Sequence, residues 1–176
     1  MIDTEKINLF DEIVNCGILE EDSVVNFGAG DSNGEFLETL LQYNGFFEKE
    51  RIKAIEPDSK KIKNLTKKFT NQEIEFFETS LQSYLDSEPS FSDWIVITGV
   101  FDKHLYGEHQ HDYVESVLEN SIRIANKGVI FSIRKTLSSE FRYSIILLFN
   151  SFIEKYDKVT IKKIDNDNFI FCIFNK

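Results

Sequence analysis

The sequence predicts an α/β three-layer sandwich: a mainly parallel sheet with helices on both faces. Three observations predict it. Short apolar runs alternate five times with segments of helical periodicity, the pattern of strand–helix–strand units joined by right-handed crossovers. The run "DWIVITGV" (93–100) is apolar almost throughout, as expected of a strand buried on both faces. Two strand-like runs, "KVTIKKI" (158–164) and "NFIFCIF" (168–174), close the sequence around the turn-forming "DNDN", which adds a hairpin and one antiparallel strand.

Each element has a local cause. In residues 4–16, Ile7, Leu9, Phe10, Ile13 and Val14 fall on one side of a helix, and Gly17 fits its C-terminal cap. "SVVNF" (23–27) is a short buried strand, and Phe36, Leu37, Leu40 and Leu41 mark the helix that follows a glycine loop. "RIKAIE" (51–56) alternates as a strand does; Pro57, Asp58 and Ser59 then open a helix running to Phe69. "EIEFFE" (73–78) is a third strand, with a short helical turn around Leu81–Leu85. Tyr113, Val114, Val117, Leu118, Ile122 and Ile124 give a helix after 93–100, "GVIFSI" (128–133) a fifth strand, and 139–154 another helix.

With 176 residues, 41% of them hydrophobic and 28% charged, the chain is expected to form one domain, 1–176, with 1–17 as an N-terminal helix. A net charge of −10 argues against a nucleic-acid backbone as partner. The lysines between Lys60 and Lys68 are spaced as a solvated helix face. Cys16 and Cys172 lack metal or redox spacing and read as small core residues. The opening "MIDTEKINLF" has no basic and apolar leader pattern, and no apolar run approaches the ~20 residues of a membrane span. A cytoplasmic location without membrane association is the expectation.

The loop in "VVNFGAGDSNGEF" (24–36) follows the first strand, where open α/β sheets bind ligands beyond the strand ends. Its three glycines, Gly28, Gly30 and Gly34, suggest a backbone brought close to a ligand. The spacing is G-x-G-x-x-x-G, with Asn33 where the dinucleotide fingerprint has its third glycine, so a pyrophosphate cradle is poorly supported. Glu56 ends the second strand about 25 to 30 residues later, where a carboxylate accepts both hydroxyls of a ribose.

"VVNFGAG", "IKAIEPDSKKI", "FSDWIVITGVF" and "NKGVIFSI", with the closing "NDNFIFCIFNK", resemble in order the motifs of class I S-adenosylmethionine-dependent methyltransferases. "SDWIVITGVFDKHLYG" and "YVESVLENSIRIANKGVIFSI" are similar to small bacterial and phage members. The resemblance implies a Rossmann-like sheet of order 3-2-1-4-5-7-6 with strand 7 antiparallel, and S-adenosylmethionine as cofactor. By position it implies that Gly28, Ala29 and Gly30 approach the methionine part, beside Asn26 and Phe27. Glu56, with Pro57 next to it, would bind the ribose; Ser80 and Leu81 would flank the adenine; Thr98, Gly99 and Val100 would form the floor beneath the sulfonium. Two departures stand out: Asn26 replaces the usual acid of the first motif, and Ser80 stands where Asp is common.

All three histidines, His104, His109 and His111, fall with Asp102 in "FDKHLYGEHQH", the loop expected to border the transferred methyl group. A histidine titrating near its ordinary value suits removal of a proton from an oxygen nucleophile. A plain polar loop, or a divalent ion held by His109, His111 and Asp102 or Glu108, are the competing readings; the spacing matches no strong zinc pattern, and no metal is assigned. Tyr113, Val114 and Trp94 read as packing residues. The expected activity is O-methylation of a small molecule or glycan precursor in an open pocket, since only the N-terminal helix, 99–111 and 134–142 remain to cap it. A non-catalytic cofactor-binding subunit or sensor is the alternative, and a protein or nucleic-acid methyltransferase a further one. Oligomeric state has no sequence signal.

Overall fold

A computed structural model gives the fold and describes residues 8–30, 32–43, 51–87, 89–101, 110–134, 149–165 and 168–175. Its elements follow in order: α1 (Leu9–Val14), β1 (Val24–Phe27), α2 (Glu35–Tyr43), β2 (Ile52–Ile55), α3 (Ser59–Lys68), β3 (Ile74–Phe77), α4 (Leu81–Asp86) and β4 (Ser92–Ile97). Then come α5 (Gln110–Ile124), β5 (Ala125–Arg134), β6 (Val159–Lys163) and β7 (Asn168–Phe174), with residues 149–155 helical before β6.

The strands form one seven-stranded sheet in the order β3-β2-β1-β4-β5-β7-β6. β1 to β5 pair in parallel, and β7 runs antiparallel to both β5 and β6. This is the expected topology. The closing turn is held by Asp165, whose carboxylate accepts from the Asn168 N–H at 2.8 Å and from the Asn168 amide at 2.7 Å.

Alternation along β1 divides the core. Val24 faces the layer of α1, α2 and α3 with Ile13, Leu37, Leu65 and Val96, whereas Val25 and Phe27 face α4, α5 and Phe152. Every residue of β1 is buried because helices cover both faces. The 51–56 run forms β2, with partly exposed Arg51 and Lys53 alternating with buried Ile52 and Ala54 before the fully buried Ile55. Alternation weakens where a strand lies inside a parallel sheet.

Helix ends follow side-chain chemistry. Asp58 caps α3 by accepting from the N–H groups of Lys60 and Lys61, and Ser80 caps α4 by accepting from Ser83 N–H. Gly17 is not the cap of α1: Asn15 fills that place, and Gly17, at φ 128°, turns the chain two residues later. β5 begins three residues earlier than the 128–133 run, at Ala125, and pairs with β4 across an irregular step between Ser92 and Trp94.

Candidate functional site

Sheet order reverses direction at β1, with β2 on one side and β4 on the other, and the register aligns Phe27 with Ile55 and Ile97. The next residues, Gly28, Glu56 and Thr98, therefore share one rim at the carboxyl ends of the strands. The first turns of α3, α4 and α5 must return to this same rim, because each helix starts where a parallel strand stops.

The three glycines do three different jobs. Gly28 sits at φ 79°, and a Cβ there would lie 2.0 Å from the Thr98 carbonyl oxygen, so only glycine lets β1 leave the sheet against β4. At Gly30 a Cβ would meet Glu56 Oε2 at 2.6 Å; instead, the Gly30 N–H donates to that oxygen at 3.0 Å. Gly34, at φ 80°, packs against Phe69 and Leu65. A Cβ there would strike the Phe69 ring at 2.7 Å, so it serves contact between the loop and α3.

Glu56 is 3% exposed. Oε2 takes the Gly30 N–H and Oε1 takes the Asp58 N–H, each at 3.0 Å. A carboxylate offers about four acceptor directions, so each oxygen keeps one for a further donor. Beside it opens a cavity of about 340 Å³, lined by Phe27, Gly28, Ile55, Glu56, Pro57, Asp58, Lys61, Ser80, Leu81, Gly99, Val100 and Tyr113. That volume falls at the lower end of the range for small-molecule sites.

Eight of the residues singled out in sequence meet in this lining: Phe27, Gly28, Glu56, Pro57, Ser80, Leu81, Gly99 and Val100. Asn26, Ala29, Gly30 and Thr98 stand outside it. Asn26 is fully buried under the loop, and its amide donates to the carbonyls of Phe27 and Val96, both at 3.3 Å, and to Thr98 Oγ1 at 3.4 Å. A carboxylate cannot donate, which gives asparagine a structural reason at this position. Its Oδ1 has no hydrogen-bond partner among the described residues.

Ile55, Asp58, Lys61 and Tyr113 line the cavity without having been expected there. Their signal was topological, since they end a strand or open a helix at the rim. Tyr113 was read as packing; it is half-buried, packs on the core and also walls the cavity. Burial pushes its phenol above the ordinary value, so it stays a neutral hydrogen-bonding group at physiological pH. Trp94 is core as read, with its indole N–H donating to Asp22 at 2.7 Å.

Asp102, His104 and His109 lie outside the described residues; His111 falls within α5, and its side chain is likewise outside them. Among the described residues, no group of three His, Cys, Asp or Glu side chains is placed to hold a metal ion, and no helix is long and apolar enough to cross a membrane.

No protein-family model matches the sequence, and no curated protein matches it. Solved structures do match its fold. Magnesium protoporphyrin IX methyltransferase from Synechocystis PCC 6803, with bound S-adenosylmethionine, aligns at a TM-score of 0.65 and 12% identity, covering 95% of this chain and 76% of that one. The N-methyltransferase NodS from Bradyrhizobium japonicum WM9 aligns at 0.59 and 15% identity, covering 94% and 92%. A ribosomal protein L11 methylase from Lactobacillus delbrueckii subsp. bulgaricus aligns at 0.62 and 14%, covering 93% and 75%. The shared feature is the fold: the seven-stranded sheet of class I S-adenosylmethionine-dependent methyltransferases.

Proposed function

We propose that this chain, built on the class I methyltransferase fold, is an S-adenosylmethionine-dependent methyltransferase. The observation that carries the reading is the cavity of about 340 Å³ at the switch point, where Gly28, Glu56, Ser80, Leu81, Gly99 and Val100 converge. The residues fit the cofactor group by group. Glu56 keeps one acceptor direction on each oxygen for the two ribose hydroxyls. Leu81 and Ser80 open α4 beside the space for the adenine. Gly28 lines the cavity on the side proposed for the methionine part, and Val100 with Gly99 forms a low-polarity floor for the sulfonium.

The cofactor supplies an electrophilic methyl group; the chain supplies position and exclusion of water. Asp102, His104, His109 and His111 are proposed to accept the proton of an oxygen nucleophile, supported by their position after β4 in the sequence. A small molecule or glycan precursor is the favoured acceptor. Its support is the net charge of −10, which repels a phosphate backbone.

Calorimetry with S-adenosylmethionine and its demethylated product tests the premise. Both should bind the wild type, and Val100→Trp, which fills the cavity, should abolish binding while leaving the fold intact. Preference for NAD would return the dinucleotide reading. Single alanine variants of His104, His109 and His111 should lower turnover and spare cofactor affinity; full activity in all three would remove the base. Tight binding that never turns over against any nucleophile would favour the sensor or subunit.

A further inference from the structure

We propose that the open edge of β3 and the lysine-bearing face of α3 form a docking groove for an extended peptide with carboxylates at alternate positions. In sequence the lysines of α3 read as a solvated helix face, a reading that has no access to the groove beside them. β3 ends the sheet and pairs with β2 alone among the described strands. Along it opens a groove of about 510 Å³, walled by Ile62, Lys63, Thr66 and Lys67 of α3 and by Phe76 and Glu78 at the sheet edge. The groove shares no lining residue with the cavity at the switch point, so it stands apart from the proposed methyltransferase function.

A peptide site needs free backbone and a matching charge, and this edge offers both. The Glu56 N–H donates to the Phe77 carbonyl at 3.1 Å, so the backbone groups of Phe77 point toward β2. Strand alternation turns those of Phe76 and Glu78 the other way, to the open edge where an added strand would pair. The lysines of α3 divide by direction. Lys61 lines the switch-point cavity, and Lys68 pairs with Glu38 at 3.0 Å on the α2 side. Lys63 and Lys67 are exposed along the groove, and neither has an ion-pair partner among the described residues. Glu78, the acid of the lining, accepts from the Ser59 hydroxyl at the first turn of α3.

The spacing fits an extended occupant. Lys67 follows Lys63 by one helical turn, a rise of about 6 Å. Side chains on one face of a strand recur every second residue, about 6.6 Å apart. Two carboxylates at positions i and i+2 of a peptide therefore meet the two ammonium groups while the backbone between them pairs with β3. Buried Ile62 and half-buried Phe76 give that strand an apolar bed. The net charge of −10 repels an acidic partner from the rest of the surface, so the two cations also steer its approach. A nucleic acid would use the cations but not the strand edge, which favours a peptide.

The test titrates the full chain into a short fluorescein-labelled peptide that alternates glutamate with threonine, read by fluorescence polarisation. Binding should saturate and weaken as salt is raised. The double variant Lys63→Gln/Lys67→Gln should weaken it by about 5–30-fold, the effect of losing two partly exposed ion pairs. Methylating every second backbone nitrogen of the peptide, which leaves the protein untouched, should weaken it by about 10-fold or more in one of the two registers. The double variant should keep the wild-type Tm and its affinity for S-adenosylhomocysteine, since neither lysine lines that cavity. Absence of saturable binding, or binding that survives the lysine substitutions or both patterns of methylation, would overturn the proposal. So would displacement of the peptide by oligo-dT, which would make the face a nucleic-acid surface, or a dimer of this chain that the double variant dissolves, which would make the occupant a second copy.

Discussion

Asp22 and Glu56 are both buried carboxylates at the ends of the same sheet, 1% and 3% exposed, and they are used in opposite ways. Asp22 lies at the amino end. It accepts from Leu19 N–H at 3.0 Å and from the Trp94 indole at 2.7 Å, and it pairs with Lys127. Beside it, Asp93 accepts from the N–H and the hydroxyl of Ser23, each at 2.9 Å, while the Asp93 N–H donates back to Ser23 Oγ at 2.8 Å. Asp22 thus holds three partners, one of them a cation. Among the described residues, Glu56 at the carboxyl end takes two backbone N–H groups and borders a cavity, and the Asn26 and Ser32 side chains near that rim each leave a buried oxygen without a partner. An acid tied to an indole and a lysine away from any cavity stabilises the fold, whereas an acid with spare acceptor capacity in a cavity is placed to bind.

Substitutions can break this contrast. The largest effect is expected from Asp22→Ala, which strands two donors and the Lys127 charge: about 3–4 kcal/mol of stability by urea unfolding. Cofactor affinity of the molecules that remain folded should be unchanged; a parallel loss of affinity would mean that the two ends are not separable. Next comes Glu56→Gln, which keeps the shape but replaces one acceptor with a donor facing an N–H. It should weaken binding of S-adenosylhomocysteine about 10–100-fold by calorimetry, or about 1.4–2.7 kcal/mol. Its cost to stability should be smaller than that of Asp22→Ala.

Gly34→Ala sharpens the division within the loop itself. Strain at φ 80° and collision with Phe69 should cost about 1–2 kcal/mol in the same unfolding assay. Affinity should hold, because Gly34 packs on α3 and does not line the cavity. The smallest effect concerns pH. Burial opposes ionisation of Asp93, but hydrogen bonds from the Ser23 N–H and hydroxyl and from Asn126, with the Lys127 charge, outweigh it and hold the carboxyl below its ordinary value. Its stabilisation is therefore full above the unfolded value of about 3.9 and is lost as pH falls through the lower folded value. Asp93→Asn should be less stable than wild type at neutral pH and lose less below about pH 4, as followed by denaturant midpoints against pH.

Much of the rim was legible because its causes are local. Asp58 and Ser80 cap helices through donors two to three residues away, so chain order alone places them at the ends of α3 and α4. Glu56 was legible because a strand in strict alternation with helices can end only at the carboxyl rim. Lys61 and Tyr113 were not, since a residue one turn into an amphipathic helix looks like surface or core until the neighbouring loop is in place. Gly34 carried an ambiguous signal: glycine frees the backbone equally for a ligand and for a phenylalanine ring.

The sequence by itself determined the strand–helix order, the closing hairpin and the position of the glycine loop, because these rest on periodicity and on contacts a few residues long. The tertiary structure alone decided which glycine touches what and why Asn26 replaces an acid. Each of those depends on residues far apart in the chain, brought together by register: Asn26 against Val96 and Gly28 against Thr98. Periodicity specifies which face a side chain takes. Only the packed sheet, with its strands locked in one register by burial on both faces, specifies what that face meets.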